Sequence, residues 1–315
     1  MAAALVLVAA LSWWILGPPS LSCPTSRPAP AADYEEALAR IDALRQADRE
    51  AAPGCRLRLM THGRRTARGI VLFHGLTNCP QQFEVLGRIL YDAGDNVLIV
   101  RLPHHGLADR MTTDLRHLRA SEIAAAGEAA VDAAHGLGER VVVAGLSLGG
   151  NAAAWIAEHR ADVDRVVVIA PVLGLATVWA PLTFAVTKLL LALPNQFLWW
   201  DPAQREALGP PHVYPRYATR ALAETLRLGL IVASEARRSA PAARSIVLVT
   251  VGGDRAVRNA AAYALARDWG RHPGSMIERY EFPRSLHLDH DLIDPLQPHA
   301  RTDIVYPTLV RIIRG

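Results

Sequence analysis

Lysine is almost absent from this 315-residue chain. Lys188 is the only lysine, and arginine carries the remaining positive side-chain charge. No glycine-rich loop is followed by a lysine, which excludes a P-loop for nucleotide phosphates. A Schiff-base cofactor would have to use Lys188, which lies in an apolar stretch. The net charge is only +4 and no block of basic residues is present, so nucleic-acid binding has no support.

Cysteine is scarce as well, with Cys23, Cys55 and Cys79 as the full set. These three residues form no C-x-x-C pair, so neither a zinc site nor a dithiol redox site is expected. One disulfide is compatible with an oxidising compartment, and Cys55–Cys79 is the pairing that we favour. Free cysteines remain the alternative, because spacing alone does not fix disulfide connectivity.

The sequence also lacks a full-length transmembrane run. Residues 2–16 are apolar and uncharged, but the run is about 15 residues long, against the ~20 that span a bilayer. It has no basic segment before it, and Gly17-Pro18-Pro19 ends any helix there. We predict an N-terminal anchor or signal segment at 1–22, hence a membrane-anchored or exported protein, with a buried core helix as the alternative. A proline-rich linker at 23–33 and one domain at 34–315 would follow.

Short apolar, β-branched runs alternate with helical patterns along the rest of the chain. Six of these runs predict buried strands, at 69–73, 96–101, 141–144, 165–170, 245–251 and 276–282. Helical spacing of apolar residues predicts helices at 34–48, 82–92 and 121–137. This alternation predicts a parallel sheet wound by right-handed crossovers, with helices on both faces. A short hairpin between 56–60 and a partner near Arg65 is also expected.

One turn in this pattern has the spacing of a reactive serine. Gly145-Leu146-Ser147-Leu148-Gly149 directly follows the strand at 141–144 and precedes an alanine-rich helical run. This is the G-x-S-x-G pattern of a nucleophile elbow, in which glycines two residues before and after the serine remove clashes in a strained turn. An incidental serine in a glycine-rich turn is the alternative interpretation.

A serine hydroxyl needs a base within hydrogen-bond reach, and that base needs a carboxylate to orient it. In the chain order serine, acid, histidine, the acid is expected after the strand at 245–251, where Gly252 and Gly253 precede Asp254. An ordinary loop aspartate is the alternative at this position.

The base is expected after the strand at 276–282. Two histidines follow it, His287 and His290, and we favour His290, while His287 remains the alternative. A metal site built from this His/Asp cluster is disfavoured, because further ligands are missing nearby.

Two backbone N–H groups are candidates for binding an oxyanion. The N–H of Leu148 lies at the start of the predicted helix, and the N–H of Leu76 lies just after the strand at 69–73. His74, which precedes this loop, is expected to shape it by hydrogen bonding. His104 and His105, in the loop after the strand at 96–101, are expected to be structural in the same way.

This set of residues resembles the α/β-hydrolase superfamily, and within it the carboxylesterase and monoacylglycerol-lipase-like branch. The resemblance covers residues 65–315 and is carried by His74-Gly75-Leu76, His104-His105-Gly106, Gly145–Gly149, Asp254 and His290. It implies a mostly parallel eight-stranded sheet flanked by helices, a Ser-Asp-His triad, and no metal or organic cofactor. The sequence departs from the family where His104 replaces the first glycine of a G-H-G loop.

The interval between the fourth and fifth predicted strands is too long for one crossover, and we predict a helical lid insertion at about 172–240. Its apolar side chains either pack on the sheet as ordinary core or line an acyl pocket; they are Trp179, Leu189, Leu190, Leu191, Phe197, Trp199 and Trp200.

The resemblance implies a serine hydrolase that cleaves carboxylic esters through an acyl-enzyme on Ser147. The expected partners are a small-molecule or lipid ester with an apolar acyl group and a membrane surface, with no nucleic acid. The alternatives are an acyltransferase or prolyl-type peptidase on the same triad, and a catalytically dead membrane-tethered scaffold.

Overall fold

The computed structural model describes residues 25–202 and 209–315. Its strands are β1 (Arg58–Met60), β2 (Thr66–Phe73), β3 (Asn96–Val100), β4 (Gly138–Leu146), β5 (Arg165–Ile169), β6 (Phe197–Trp199), β7 (Arg216–Ala218), β8 (Ser245–Val251) and β9 (Met276–Phe282). Its α-helices are α1 (Tyr34–Ala47), α2 (Glu84–Asp92), α3 (Ala120–Leu137), α4 (Leu148–His159), α5 (Thr183–Ala192), α6 (Thr219–Glu235), α7 (Asn259–Trp269) and α8 (Thr302–Arg314). All six strands predicted from apolar runs form.

The main sheet has seven strands in the order β1-β3-β2-β4-β5-β8-β9, and all neighbours except β1 and β3 are parallel. From β2 the chain moves outward to β3 and then returns to the other side of β2 as β4. The strand order therefore reverses between β2 and β4. In open α/β sheets, ligand sites form at the carboxyl ends of the strands at such a reversal.

Two details of the predicted sheet are corrected. The resemblance implies eight strands, whereas seven form the main sheet in the described residues, and β6 and β7 pair separately as a two-stranded antiparallel sheet. The predicted hairpin between 56–60 and Arg65 is wrong, because β1 pairs with β3, with Arg58 opposite Ile99. Residues 61–65 instead carry the chain across to β2, which is already paired on both sides by β3 and β4.

The core lies on both faces of the parallel strands. β3 and β8 are buried along their whole length, as the continuous apolar runs predict. Helix α4, which follows the elbow, is buried from Leu148 to Ala157, and its Trp155 is fully enclosed. The serine turn is therefore held between a buried strand and a buried helix.

The segment predicted as an insertion, residues 172–240, contains α5, the β6–β7 pair and α6 in its described part. Asn151 on α4 fixes it to the core, because its side-chain amide donates to the backbone carbonyls of Val172 (3.0 Å) and Thr225 (2.8 Å). None of the seven apolar side chains singled out in the insertion is buried, and Trp179 is 68% exposed. Phe197 is partly buried against the core, whereas Trp179, Leu189 and Trp200 face solvent. The role of these side chains in an acyl pocket stays a prediction.

The predicted localisation also needs correction. Among the residues that the structure describes, no helix combines the length and hydropathy needed to cross a bilayer. The apolar run at 2–16, on which membrane anchoring or export was predicted, lies outside those residues. The prediction of a membrane-anchored or exported protein is therefore wrong on this structure, and a membrane surface is not retained as a partner.

Cys55 and Cys79 form a disulfide. This bond joins the turn before β1 to the loop after β2, whereas Cys23 lies outside the described residues.

The described part of the proline-rich segment packs along α3, since the N–H of Ala31 donates to the carbonyl of Asp132 (2.8 Å). The division of the chain at 22 and 33 stays a prediction.

Candidate active site

Ser147 occupies a strained turn between β4 and α4. Its φ of 60° and ψ of −113° are unusual for a residue with a side chain. The turn is fixed because the N–H of Ser147 donates to the carbonyl of Ile169 on β5 (2.9 Å). Its carbonyl accepts the N–H of Asn151 in the first turn of α4 (3.0 Å). Both hydrogen bonds belong to buried secondary structure, which holds the serine at the carboxyl end of the sheet.

The two glycines of the motif are required by close backbone contacts. A Cβ added at Gly145 would lie 2.0 Å from the carbonyl oxygen of Gly149, and one at Gly149 would lie 2.1 Å from that of Phe73. These atoms belong to the backbones of β2, β4 and α4, which are held by the sheet and the helix and cannot shift to make room for a side chain. The spacing in the sequence is thus a steric requirement of the turn.

We expect Gly149→Ala to lower the free energy of unfolding by about 3 kcal/mol, because a methyl group would overlap the backbone of β2. Urea unfolding followed by circular dichroism measures this change. Gly174→Ala is the matched control, because Gly174 is also buried but an added Cβ would come no closer than 3.4 Å to any atom. Equal stability of the two variants would contradict the steric explanation.

His290 contacts the serine. Its Nε2 lies 2.9 Å from Ser147 Oγ, and its Nδ1 lies 2.7 Å from Oδ2 of Asp254. Because the Asp254 carboxylate accepts a hydrogen bond, Nδ1 carries the proton and Nε2 accepts the serine O–H. This tautomer is the one that a general base for Ser147 requires.

Asp254 follows Gly252 and Gly253 at the end of β8, and its side chain is 0% exposed. Its Oδ1 accepts the N–H groups of Ala256 (2.8 Å) and Val257 (3.1 Å), leaving Oδ2 for His290. Two separate sets of donors therefore hold the two oxygens, and the carboxylate plane is fixed relative to the imidazole.

The two partners stabilise each other's charged forms. Burial favours neutral Asp254, but the charge and hydrogen bond of His290 and the two backbone donors outweigh it, so the pKa of Asp254 is lowered. Burial likewise disfavours protonated His290, but the charge and hydrogen bond of Asp254, with the charge of Asp291, raise the pKa of His290 above its usual value. The imidazole is thus made more basic, as proton removal from a hydroxyl requires.

The loop after β2 borders the serine. A Cβ added at Gly75 would lie 3.5 Å from the Cβ of Ser147, which places the neighbouring N–H of Leu76 in this region. The N–H of Gly75 donates to Oε1 of Gln82 (2.8 Å), and Thr77 adopts a φ of 67°. Leu148 is the first residue of α4, where helix N–H groups have no intrahelical acceptor. The role of Leu76 and Leu148 as oxyanion donors stays a prediction.

His74 and His105 brace this region as buried neutral rings. His74 Nδ1 donates to the carbonyl of Gly75 (2.9 Å), and its Nε2 accepts the N–H of Leu102 (3.1 Å). Burial, followed by the charge of His105, lowers the pKa of His74 well below its usual value, and burial lowers the pKa of His105 to about 4. Neither ring contacts Ser147 or Asp254 through a hydrogen bond described here.

His104 stands where the family pattern has a glycine, and it adopts a backbone conformation typical of glycine. It adopts a φ of 66°, in the left-handed region that favours glycine. Its Nδ1 lies 2.7 Å from Oδ2 of Asp114, which ties the strained residue to the following turn. The hydrogen bond explains how a histidine is accommodated at this position.

His287, the alternative base, lies elsewhere. Its side chain is exposed, and it adopts a φ of 51° at the end of a short turn that begins at Arg284. Of the two histidines in this loop, only His290 has a hydrogen bond to Ser147 or Asp254 in the described residues. This geometry supports His290 as the candidate base.

The insertion is fixed to the site by contacts that sequence reasoning did not identify. His212 Nε2 lies 2.9 Å from Oδ2 of Asp294, and both side chains are almost fully buried. Trp200 Nε1 donates to Thr77 Oγ1 (2.6 Å), and the N–H of Tyr214 donates to the Thr77 carbonyl (2.8 Å). These partners are far apart in the chain, so no local pattern could have revealed them.

The described residues contain no group of three or more His, Cys, Asp or Glu side chains that could hold a metal ion. His290 in particular uses both ring nitrogens for Ser147 and Asp254. The metal interpretation of the cluster at 285–291 therefore has no geometric support.

A family model described as "Alpha/beta hydrolase family" matches residues 70–298. No curated protein matches the chain. A solved structure from the metagenome-derived lipolytic enzymes LipS and LipT is similar, with a TM-score of 0.62, 19% identity, and coverage of 84% of this chain and 99% of that one.

Two further solved structures are similar. The Paleococcus ferrophilus monoacylglycerol lipase gives a TM-score of 0.60 at 18% identity, covering 82% of this chain and 97% of that one. A soluble variant of the Saccharomyces cerevisiae monoglyceride lipase gives 0.53 at 15% identity, covering 82% and 90%. Likeness at this level of identity shows the fold alone. Because the family model spans more than half of the chain, from within β2 to just before α8, this protein belongs to the α/β-hydrolase family.

Proposed function

We propose that this hydrolase cleaves carboxylic esters through an acyl-enzyme formed on Ser147. The observation that carries the proposal is the continuous hydrogen-bonded series from Ser147 Oγ through His290 to Asp254, with separations of 2.9 and 2.7 Å. Nucleophile, base and orienting carboxylate then occur in the geometry that serine catalysis needs.

In the first half of the proposed reaction, Ser147 Oγ attacks the ester carbonyl while His290 Nε2 accepts its proton. Asp254 stabilises the resulting imidazolium, and the N–H groups of Leu76 and Leu148 donate to the oxyanion. His290 then returns the proton to the leaving alcohol. A water molecule, activated by the same imidazole, releases the carboxylic acid in the second half.

The proposed substrate is a small-molecule or lipid ester with an apolar acyl group. The insertion supports it, because Trp179, Leu189 and Trp200 present apolar surface to solvent and Trp200 is hydrogen-bonded to the loop of Leu76. The solved neighbours named as lipolytic enzymes and monoacylglycerol lipases share this fold, which is consistent with the same substrate class. We further propose that the insertion at about 172–240 acts as a lid over the site.

The test is ester turnover together with active-site labelling. We expect the protein to hydrolyse p-nitrophenyl esters in a series from acetate to laurate, and a fluorophosphonate to label it covalently. Ser147→Ala is the control, and we expect it to lose both properties while keeping its far-UV circular dichroism.

Two outcomes would contradict the proposal. A folded protein that neither turns over any ester nor reacts with the fluorophosphonate would indicate a scaffold without catalysis. Labelling at Ser147 without ester turnover, but with cleavage of a prolyl peptide or transfer of an acyl group to an added alcohol, would favour the alternatives on the same residues.

A further inference from the structure

A second carboxylate lies directly beside the candidate base and has no part in the reaction described above. Asp291 Oδ2 accepts the side-chain amides of Asn78 (3.0 Å) and Gln297 (3.0 Å), and its Oδ1 accepts the N–H of Asp294 (3.2 Å). The Gln82 side chain also interacts with this carboxylate and acts to lower its pKa. The contacts from Asn78, Gln297 and Asp294 come from N–H groups, which favour the ionised form, while burial acts in the opposite direction and raises the pKa of Asp291.

Two of these side chains, Asn78 and Gln82, lie in the segment after β2 that carries Leu76, one of the two candidate oxyanion donors. Gln82 is 2% exposed, and its Oε1 accepts the N–H of Gly75, the residue before Leu76. Asn78 is 3% exposed, and its Oδ1 accepts the N–H of Cys79. Gln82 and Asn78 therefore each connect the backbone of this loop to the residue that follows His290.

These connections matter because the oxyanion donors and the base come from distant parts of the chain. Asn78 and Asp291 are 213 positions apart, and their side chains meet only in the folded protein. Attack by Ser147 needs the base and the oxyanion donors in register, and a misplacement of about 1 Å can cost a hundredfold in rate. A buried polar link between the two loops is a direct means of keeping that register.

We propose that Asp291 is a positioning residue of this site, an ionised carboxylate that ties the loop of Leu76 to the segment carrying His290. The proposal rests on the proposed function, because it assigns Asp291 to the geometry of that reaction. It adds a role for Asn78 and Gln82, which act as the connecting side chains.

The charge of Asp291 also acts on the base. The charged groups that act on His290 are Asp254, from the loop after β8, and Asp291 itself, and both raise the pKa of His290. Beyond Asp291 lies Asp294, whose charge, after burial, raises the pKa of Asp291 and whose Oδ2 is bonded to His212. Because His290 must be neutral to accept a proton, a higher pKa places the acid limb of the activity profile at higher pH.

The test compares the two aspartates that flank His290. In Asp291→Asn we expect kcat to fall about tenfold or more, and the acid limb of kcat/KM to move to lower pH by about one unit. Asp289→Asn is the matched control, because Asp289 is exposed and adjacent to the same histidine. We expect the control to keep both the rate and the profile of the wild type.

A third variant separates the link from the charge. Gln82→Met removes the connection between Gly75 and Asp291 but keeps the carboxylate. We expect it to lower kcat several-fold, with the acid limb unchanged. If Asp291→Asn alters only the melting temperature, or if its profile matches that of Asp289→Asn, the proposal is wrong.

A measurement without substrate distinguishes this inference from the proposed function. Proton–carbon NMR of the His290 imidazole gives its pKa in the wild type, Asp291→Asn and Asp289→Asn. A downward shift confined to Asp291→Asn supports the role of Asp291 even if no ester is turned over. An unshifted imidazole overturns it even if the wild type is an active esterase.

Discussion

His290→Ala is expected to lower kcat on an activated ester by about 10³-fold or more, because the hydroxyl of Ser147 then loses the group that accepts its proton. His290 Nε2 is 2.9 Å from Ser147 Oγ, and no other imidazole has a hydrogen bond to that oxygen in the described residues. Steady-state hydrolysis of a p-nitrophenyl ester, with circular dichroism to verify folding, measures the effect.

His287→Ala provides the control for this prediction. His287 is exposed and lies three residues earlier in the same loop, so removal of its ring tests the loop without touching the base. We expect its kcat to stay within a few-fold of the wild type. The reverse ranking of the two variants would make His287 the base and would require the loop to rearrange.

Asp254→Asn is expected to cost about 10³- to 10⁴-fold in kcat, with little change in fold. In the wild type, the N–H groups of Ala256 and Val257 donate to Oδ1 of Asp254. The amide oxygen of the asparagine can take the place of Oδ1, and its nitrogen then faces His290. That nitrogen is a donor, and it favours the tautomer of His290 with the proton on Nε2. An imidazole in this form cannot accept the proton of Ser147.

Two measurements check the Asp254 prediction. The rate of fluorophosphonate labelling should fall in parallel with kcat, because both reactions need an activated Ser147. Asp303→Asn, at a position where the side chain is 70% exposed, controls for a change of one charge. A loss of less than tenfold in Asp254→Asn would show that the carboxylate does not orient the base.

The resemblance in sequence identified the correct family, whereas the reading of local patterns placed one short strand differently from the structure. The short strand at 58–60 was expected in a local hairpin, yet it adds to the edge of β3. The partner of β1 depends on which strand edge is still unpaired, and β2 already has partners on both sides. Only the complete sheet contains this information.

The apolar insertion illustrates a second limit. Its composition is the same whether the side chains fill a core or face solvent, because hydropathy records transfer preference and not the available neighbours. The structure leaves Trp179, Leu189 and Trp200 exposed and ties Trp200 to Thr77 through its indole N–H. Burial here was decided by tertiary contacts.

By itself, the sequence determined the alternation of strands and helices and the serine turn between two glycines. Those features depend on local backbone sterics and on the periodicity of apolar residues, which a linear pattern records. It also predicted Asp254 as the candidate acid and left two histidines as candidate bases.

The tertiary structure decided which histidine meets Ser147, and it brought Asn78 and Gln82 to Asp291, the residue after His290. These groups are brought together by the reversal of strand order between β2 and β4 and by the return of the chain after β9. Hydrogen bonds between side chains more than two hundred residues apart depend on the completed fold, because no local interaction energy favours them before the sheet has formed.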